Sequence, residues 1–155
     1  MLLILICAIV AFFLRSRFSK HPIKDERIPT NGNGTDVGEK ELHDIFQTAT
    51  EALTTEQLFL KKNIKINDLA IHIGHSEKIV SKAINKHTQL NFNAFINNFR
   101  IEYSKELLTS GKFDHYTLEA IADESGFSNK VSFNQAFKTQ MRMSPSEFRA
   151  QKQPK

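Results

Sequence analysis

The sequence predicts an all-α protein in which a long connecting helix joins two helix-turn-helix units, preceded by an apolar N-terminal segment. Three observations support this prediction. From residue 39 onward, apolar side chains recur at helical spacing, and no stretch shows the sustained alternation of a β-strand. A single apolar stripe at helical spacing runs through residues 92–108, which is long enough for a helix of about 25 Å. Two segments, at about 66–86 and 118–139, resemble each other closely.

An uninterrupted apolar run, MLLILICAIVAFFL, occupies residues 1–14, and the stretch directly after it is basic. At 1.5 Å per residue such a helix reaches about 21 Å, less than the roughly 30 Å of a hydrocarbon core. Positive charge after an apolar run places that flank in the cytoplasm. We therefore expect residues 1–14 to be a transmembrane anchor or the remnant of one, with a tilted or snorkelling anchor and a buried core helix as alternatives. The remaining chain would lie at the cell membrane on its cytoplasmic side, or in the cytoplasm if the segment is not an anchor.

Residues 15–38 are expected to form a basic flank and a flexible linker. Pro22, Pro29 and the run TNGNGTDVG leave no apolar periodicity there. The helical pattern after the linker begins with one apolar face, formed by Leu42, Ile45, Phe46, Ala49 and Leu53. The next segment, EQLFLKK, is expected to start a new helix that Thr54 or Thr55 caps.

Charge is distributed unevenly along the chain. The formal charge is +4, but residues 1–59 hold six basic and eight acidic side chains, whereas residues 60–155 hold 15 and nine. A basic helical domain suits a partner with a phosphate backbone. The single cysteine, Cys7, excludes a disulfide framework within the chain. His72 and His75 are three residues apart, but no third metal ligand lies near them in sequence, and no glycine-rich phosphate loop or catalytic cluster occurs. We therefore expect no metal site, no cofactor and no enzymatic activity.

The two similar segments match residue by residue around a glycine. Before and at the turn, the matched residues are Leu69, Ala70 and Gly74 in the first copy and Ile121, Ala122 and Gly126 in the second. After the turn, where the second copy has one extra residue, they are Ser76, Val80, Ala83 and Ile84 in the first and Asn129, Phe133, Ala136 and Phe137 in the second. The alanines let two helices approach closely, and the glycines accept the left-handed conformation that ends the first helix. Ser76 and Asn129 can cap the second helix. This is the helix-turn-helix pattern, in which the second helix enters the DNA major groove.

Over residues 55–151 the sequence resembles the AraC/XylS family of bacterial transcription regulators. The second unit carries the resemblance most fully, in IADESGFSNKVSFNQAFKTQMRMSPSEFR at residues 121–149. The first unit carries it in DLAIHIGHSEKIVSKAIN, and the connecting helix in NFNAFINNFRIEYSKELL. The resemblance implies an all-α, homeodomain-like DNA-binding domain at residues 39–155, whose two units bind successive major grooves of promoter or operator DNA. The chain also resembles the members of the family in which membrane-spanning segments and a linker precede this domain. RNA polymerase and a second copy of the chain are further candidate partners.

Three positions depart from the family pattern. Gln89 and Arg142 stand where the family usually has glycine, and Lys65 stands where a Ser or Thr cap is usual. If the left-handed conformation is kept, the two glycine replacements should each cost roughly 1 kcal/mol. We expect the helix that begins after Lys65 to be less firmly capped.

The residues that would contact DNA are the outward ones on the second helix of each unit. The candidate base-reading residues are Lys78, Ser81, Lys82, Lys130, Val131, Asn134 and Gln135. The candidate phosphate contacts are Ser76, Ser128, Asn129, Ser132 and Lys138. Lysine can donate to guanine, asparagine and glutamine can pair with adenine, and valine can contact a thymine methyl group. Phe127 and Phe148 are expected in the core, and Arg100 is expected to pair with an acid, a helix end or a phosphate.

The sequence thus predicts a sequence-specific DNA-binding transcription regulator that is tethered to the membrane. The alternative is a membrane-tethered helical module that binds a protein partner and no DNA. That alternative predicts exposed apolar surface, whereas the outward faces of both second helices are polar.

Overall fold

The computed structural model describes residues 38–152, and the regular structure of these residues is entirely helical, as predicted. They form seven α-helices and one 3-10 turn. The α-helices are α1 Glu39–Thr55, α2 Ile66–His72, α3 Glu77–Thr88, α4 Phe92–Thr109, α5 Leu118–Glu124, α6 Lys130–Met141 and α7 Pro145–Lys152. The 3-10 turn, Leu58–Leu60, lies between α1 and α2. Among the helices of residues 38–152, none combines the length and the apolar character that crossing a bilayer requires. The predicted anchor at residues 1–14 and the linker up to residue 37 lie outside the described residues.

Two apolar cores are arranged along α4. Phe95, Ile96 and Phe99 from its first half pack with α1, α2 and α3, and Ile101 and Leu108 from its second half pack with α5, α6 and α7. With 18 residues, α4 is about 27 Å long and takes part in both cores. The predicted connecting helix and the two units that it joins are confirmed.

The first helix packs against α3, and its end differs from the expectation. Thr54 and Thr55 belong to α1 and do not cap a following helix. The hydroxyl of Thr54 donates to the carbonyl of Thr50 at 2.9 Å, a bond that lets a threonine stay within a helix. The next element is the 3-10 turn, which follows Gln57 in the left-handed conformation with φ 52°.

The rear of α3 is fixed to α1 by an aromatic cluster. The ring of His87 stacks on Phe46 with centroids 4.8 Å apart and meets the edge of His43 at 5.3 Å. Burial, followed by the neighbouring His43 and Lys86, lowers the pKa of His87, so the folded domain favours the neutral ring. Lys86 also forms an exposed ion pair with Glu39, which adds little stability on its own. These contacts fix the orientation of α3 from the side opposite to its outward face.

The turns of the two units have the same conformation and the same hydrogen bond. Gly74 has φ +73° and Gly126 has φ +80°, so both adopt the left-handed conformation that the repeat predicted. The next backbone N–H in each unit donates back to the matched alanine: His75 to Ala70 at 2.9 Å and Phe127 to Ala122 at 3.0 Å. The predicted repeat is therefore also a repeat of backbone structure.

The beginnings of the helices are capped in several ways. The Ser76 hydroxyl accepts from the N–H of Ile79 at 3.4 Å, and the Asn129 side chain accepts from the N–H of Ser132 at 2.8 Å, as predicted. Lys65 provides no side-chain cap, in line with the expectation of a less firmly capped helix. Only the reciprocal half of a capping box is present, since the N–H of Lys65 donates to the carboxylate of Asp68 at 2.9 Å.

The similarity of the units extends beyond the second helices. Gln89 and Arg142, which follow α3 and α6, have φ 59° and 60°. Both residues thus keep the left-handed conformation that the family provides for with glycine. The residues that cap the next helices, Asn91 and Ser144, come two positions later in each unit. The left-handed conformation on which the predicted cost depends is therefore present, and the cost itself stays a prediction.

Gln89→Gly should raise the free energy of unfolding by about 0.5–1 kcal/mol, because glycine adopts positive φ without steric cost. Gln47→Gly is the matched control, since Gln47 is exposed inside α1, where glycine should cost up to about 1 kcal/mol. Urea titrations of both variants followed by circular dichroism measure the two changes. A loss of stability at both positions would contradict the strain at Gln89.

A second connection between the units is made by residues 58–63, which we call the strap. Arg100 of α4 donates from Nε to the carbonyl of Phe59 at 2.7 Å and from Nη2 to the carbonyl of Lys61 at 3.0 Å. Its guanidinium lies 5.5 Å from the ring centroid of Phe127, in the turn of the second unit. The Ser128 hydroxyl donates to the Asn63 side chain at 2.7 Å. The strap thus joins the first unit, α4 and the second unit.

Arg100, Phe127 and Phe148 are all buried in the folded domain. Arg100 bonds to the end of the 3-10 turn and not to an acid, and only 8% of it is exposed. Burial lowers the pKa of Arg100. Phe127 and Phe148 are buried in the second core, as predicted.

Candidate nucleic-acid interface

The outward face of α3 is polar and basic. Val80, Ala83 and Ile84 are fully buried, which leaves the opposite side of the helix to the solvent. The exposed residues on that side include the three predicted base-reading residues, and they are Lys78, Ser81, Lys82 and Asn85. The helix begins at Glu77, whose carboxylate lies in the first turn and complements the helix dipole. Hydrogen-bonding side chains therefore cover the centre of this face.

The outward face of α6 lies opposite Phe133 and Phe137, which are fully buried. Val131 is 75% exposed, one of two large apolar side chains left exposed among residues 38–152. Gln135 follows it by one turn and is also exposed. The other predicted residues of this face that are exposed are Lys130, Ser132 and Lys138. An exposed valine among hydrogen-bonding groups is suited to a surface that reads base edges.

Asn134 differs from the expectation. The residue is half-buried, and its Oδ1 atom is buried with no hydrogen-bond partner among the described residues. A bidentate contact with adenine needs both the oxygen and the nitrogen of the amide, so a buried oxygen places Asn134 at the edge of the face. Thr139 is exposed instead, one turn after Gln135, and its hydroxyl donates to the Gln135 carbonyl at 2.9 Å. Its spacing of four and eight residues from Gln135 and Val131 could have identified it from the sequence.

The candidate phosphate contacts differ in how free their side chains are. Ser76 and Asn129 accept hydrogen bonds as helix caps, which leaves the hydroxyl proton of Ser76 and the amide protons of Asn129 for donation. The hydroxyl of Ser128 already donates to Asn63 in the strap, so a phosphate would have to compete with that bond. Ser132 and Lys138 are exposed. Among the five candidate phosphate contacts, Ser128 is the one whose side-chain hydrogen atom already takes part in a hydrogen bond that stabilises the fold.

Three basic side chains outside the two outward faces lie close to a carboxylate. Lys62 pairs with Asp123, and Lys86 pairs with Glu39 at the flank of α3. His72 lies 2.9 Å from a carboxylate oxygen of Glu56, a contact between exposed side chains that the sequence did not indicate. The carboxylates of these pairs stay largely exposed, so each pair adds little stability by itself.

Known proteins match the chain over the region that holds both units. The profile of a family described as a helix-turn-helix domain matches residues 69–151. An uncharacterized HTH-type transcriptional regulator of Staphylococcus aureus strain COL is 30% identical over 93 residues, which are 60% of this chain and 12% of that protein. The chain therefore spans about an eighth of the length of this relative.

Two solved structures show the same fold. One is a transcriptional regulator described as an AraC-type DNA-binding domain-containing protein from Chromobacterium violaceum, with a TM-score of 0.60 and 20% identity over 70% of this chain and 96% of that one. The other is the DNA-binding domain of AdpA, a global transcriptional factor, in complex with a target DNA, with a TM-score of 0.57 and 20% identity over 69% of this chain and 90% of that one. The family profile covers more than half of the sequence, and the matched fold is the one described above. The chain belongs to the family of AraC-type helix-turn-helix DNA-binding domains.

Proposed function

We propose that the chain is a sequence-specific DNA-binding transcription regulator that reads two successive major grooves, one with α3 and the next with α6. The observation that carries this proposal is the pair of outward faces on these helices. Each face is rich in hydrogen-bonding groups and is supported from behind by fully buried apolar side chains such as Val80 and Phe133. The AdpA domain, which has the same fold, was solved on a target DNA, and this adds support.

Specificity would come from different contacts in the two grooves. Lys78 and Lys82 on α3 can donate to guanine O6 and N7. On α6, Gln135 can form a bidentate contact with adenine, and Val131 can pack on a thymine methyl group. The capped beginnings of both helices would contact phosphates and fix the register.

The double variant Lys82→Ala and Gln135→Ala should lose sequence preference while remaining folded. Each lost base contact should reduce discrimination by roughly 1–3 kcal/mol, and the lost lysine should lower the salt slope by up to about 0.9. Sites are first selected from random DNA with the 155-residue chain. Binding of the best site and of a scrambled duplex is then measured at several salt concentrations.

A matched control is available on α1. Lys40 and Gln47 are exposed there, so Lys40→Ala with Gln47→Ala removes the same side-chain types from positions that belong to neither outward face. This control variant should keep the preference of the wild type. If the Lys82 and Gln135 variant still selected the same site, the assignment of the reading helices would be wrong, and a wild type without any preference would refute the proposed function.

The alternative of a protein-interaction module is less well supported. That alternative predicts a contiguous exposed apolar patch, the feature that commonly marks a protein docking site. Among residues 38–152, the exposed large apolar side chains are Ile71 and Val131, which belong to different units. Single exposed side chains of this kind are ordinary on a soluble domain.

We further propose that residues 1–14 attach the regulator to the cell membrane, with the DNA-binding domain on the cytoplasmic side. The support is the apolar run and the basic flank that follows it. Contact with RNA polymerase and pairing with a second copy of the chain stay predictions from the resemblance.

A further inference from the structure

A groove lined mainly by polar side chains runs between α4 and α6 on the side of the domain that carries the α6 outward face. Its volume is about 370 Å³. One wall belongs to α4 and the other to α6, and the residues that matter most are Ala94, Asn97, Asn98, Ser132, Gln135 and Thr139. We call this feature the amide groove. Because Gln135 lies at the centre of the α6 outward face, any DNA that α6 reads must pass next to the groove.

The α4 wall presents amide groups that the fold leaves unused. Asn97 and Asn98 are half-buried, and their side chains form no hydrogen bond with the other residues of the described part of the chain. Ala94 also lines this wall, and its small side chain leaves space in the groove. Neither amide is among the buried polar groups without a partner, so both can bond to water, and a ligand that binds there would replace that water.

The electrostatics of the amide groove suit an anion. No carboxylate lies on either wall. The nearest acidic residue along α4, Glu102, marks one end, where it accepts from Gln140 at 3.3 Å and pairs with Lys105 at 2.5 Å. Neutral donors without an opposing negative charge are typical of surfaces that contact the DNA backbone.

We propose that the amide groove binds the sugar-phosphate backbone of the strand that borders the α6 major groove on the side of the first unit. A helix in a major groove has phosphates on both flanks. Because α4 joins the two units, its wall would face the flank between the two half-sites. Asn97 and Asn98 then donate to phosphate oxygens there, and α4 is a third DNA-contacting element between the two reading helices. This inference rests on the proposed function and assigns a contact to a helix that would otherwise only join the units.

Asn97→Lys tests the inference as a gain of affinity. The lysine stem can follow the groove and place its ammonium group at the mouth. If a phosphate lies there, the variant of the 155-residue chain should bind its selected site roughly fivefold more tightly at 0.1 M salt, with a salt slope steeper by about 0.9. The preferred bases should not change, because phosphate contacts carry no sequence information. Asn97→Asp should weaken binding by a similar factor.

Two controls make the result specific. Gln47→Lys adds the same charge at an exposed position of α1, outside the amide groove, and should change neither affinity nor slope. Methylphosphonate substitution of the phosphates between the half-sites should remove the advantage of Asn97→Lys. Equal behaviour of the Asn97→Lys and Gln47→Lys variants, with a wild type that still selects its site, would overturn this inference alone. A wild type that selects no site would overturn it together with the proposed function.

Discussion

Gly126→Ala is expected to lower the free energy of unfolding by about 4 kcal/mol or more, a large part of the stability of an ordinary domain. A Cβ atom at Gly126 would lie 2.8 Å from the Cα and the carbonyl oxygen of Leu60 and 2.8 Å from the carbonyl oxygen of Phe59. These are backbone atoms of the strap, and Arg100 holds the Phe59 carbonyl in place. Neither side can move without breaking other contacts, so the added methyl group must separate the second unit from the strap.

Gly74→Ala is the matched control, because Gly74 occupies the same position in the turn of the first unit. Its φ of +73° is close to the +80° of Gly126, so alanine is strained by a similar amount, about 1–2 kcal/mol, in both places. A Cβ atom at Gly74 meets nothing within 4 Å. The difference between the two variants in urea titrations therefore measures the steric clash alone. Equal losses would mean that the strap yields to the methyl group.

Much of the architecture could be predicted because it depends on local spacing. Apolar periodicity places α1 and α4, and the glycine turns follow from a conformation that few other residues adopt. The positive φ of Gln89 and Arg142 could be anticipated from the resemblance, because the chain there must turn in the same way whatever the side chain. The inward and outward sides of α3 also follow from helical spacing.

The strap could not be predicted from the sequence. Its principal bonds join a guanidinium to the carbonyls of Phe59 and Lys61, and every residue has a carbonyl, so no residue type indicates this partner. The partial burial of Asn134 was missed because helical spacing gives an angle around the helix, while the packing of neighbouring helices decides how far burial extends. The end of α1 was misplaced because threonine favours caps and is also tolerated within helices.

The strap gives the two units a second connection besides α4. If α4 were the only connection, a bend in α4 would let the two units move relative to each other. The strap adds a contact outside α4 and so restricts that motion. Arg100 is central to this contact, since it bonds the strap and lies against Phe127 of the second unit. Its removal should therefore affect both stability and the coupling of the units.

Arg100→Met is expected to lower the free energy of unfolding by about 3 kcal/mol. Two opposing effects decide the size of this change. Each lost bond from a charged donor to a carbonyl costs about 1.5–3 kcal/mol, whereas the desolvation that lowers the pKa of Arg100 is relieved when the charge is removed. Methionine replaces the apolar stem of arginine without the guanidinium, so the variant keeps part of the packing around α4. We expect the bonds to outweigh the relief, because methionine offers the carbonyls of Phe59 and Lys61 no donor.

Arg149→Met provides the comparison, since Arg149 donates to a single carbonyl, that of Tyr116, at 2.9 Å. Its Nη2 atom is buried without a partner among the described residues, so this arginine should contribute less, about 1 kcal/mol. Urea titrations give both losses, and amide hydrogen exchange should quicken in residues 58–63 of the Arg100 variant but not of the Arg149 variant. If the Arg100→Met domain were as stable as the wild type, the desolvation cost of the buried guanidinium would equal the stabilisation from its two hydrogen bonds. The connection between the units would then depend on the steric fit of Gly126 against Leu60 and not on the guanidinium.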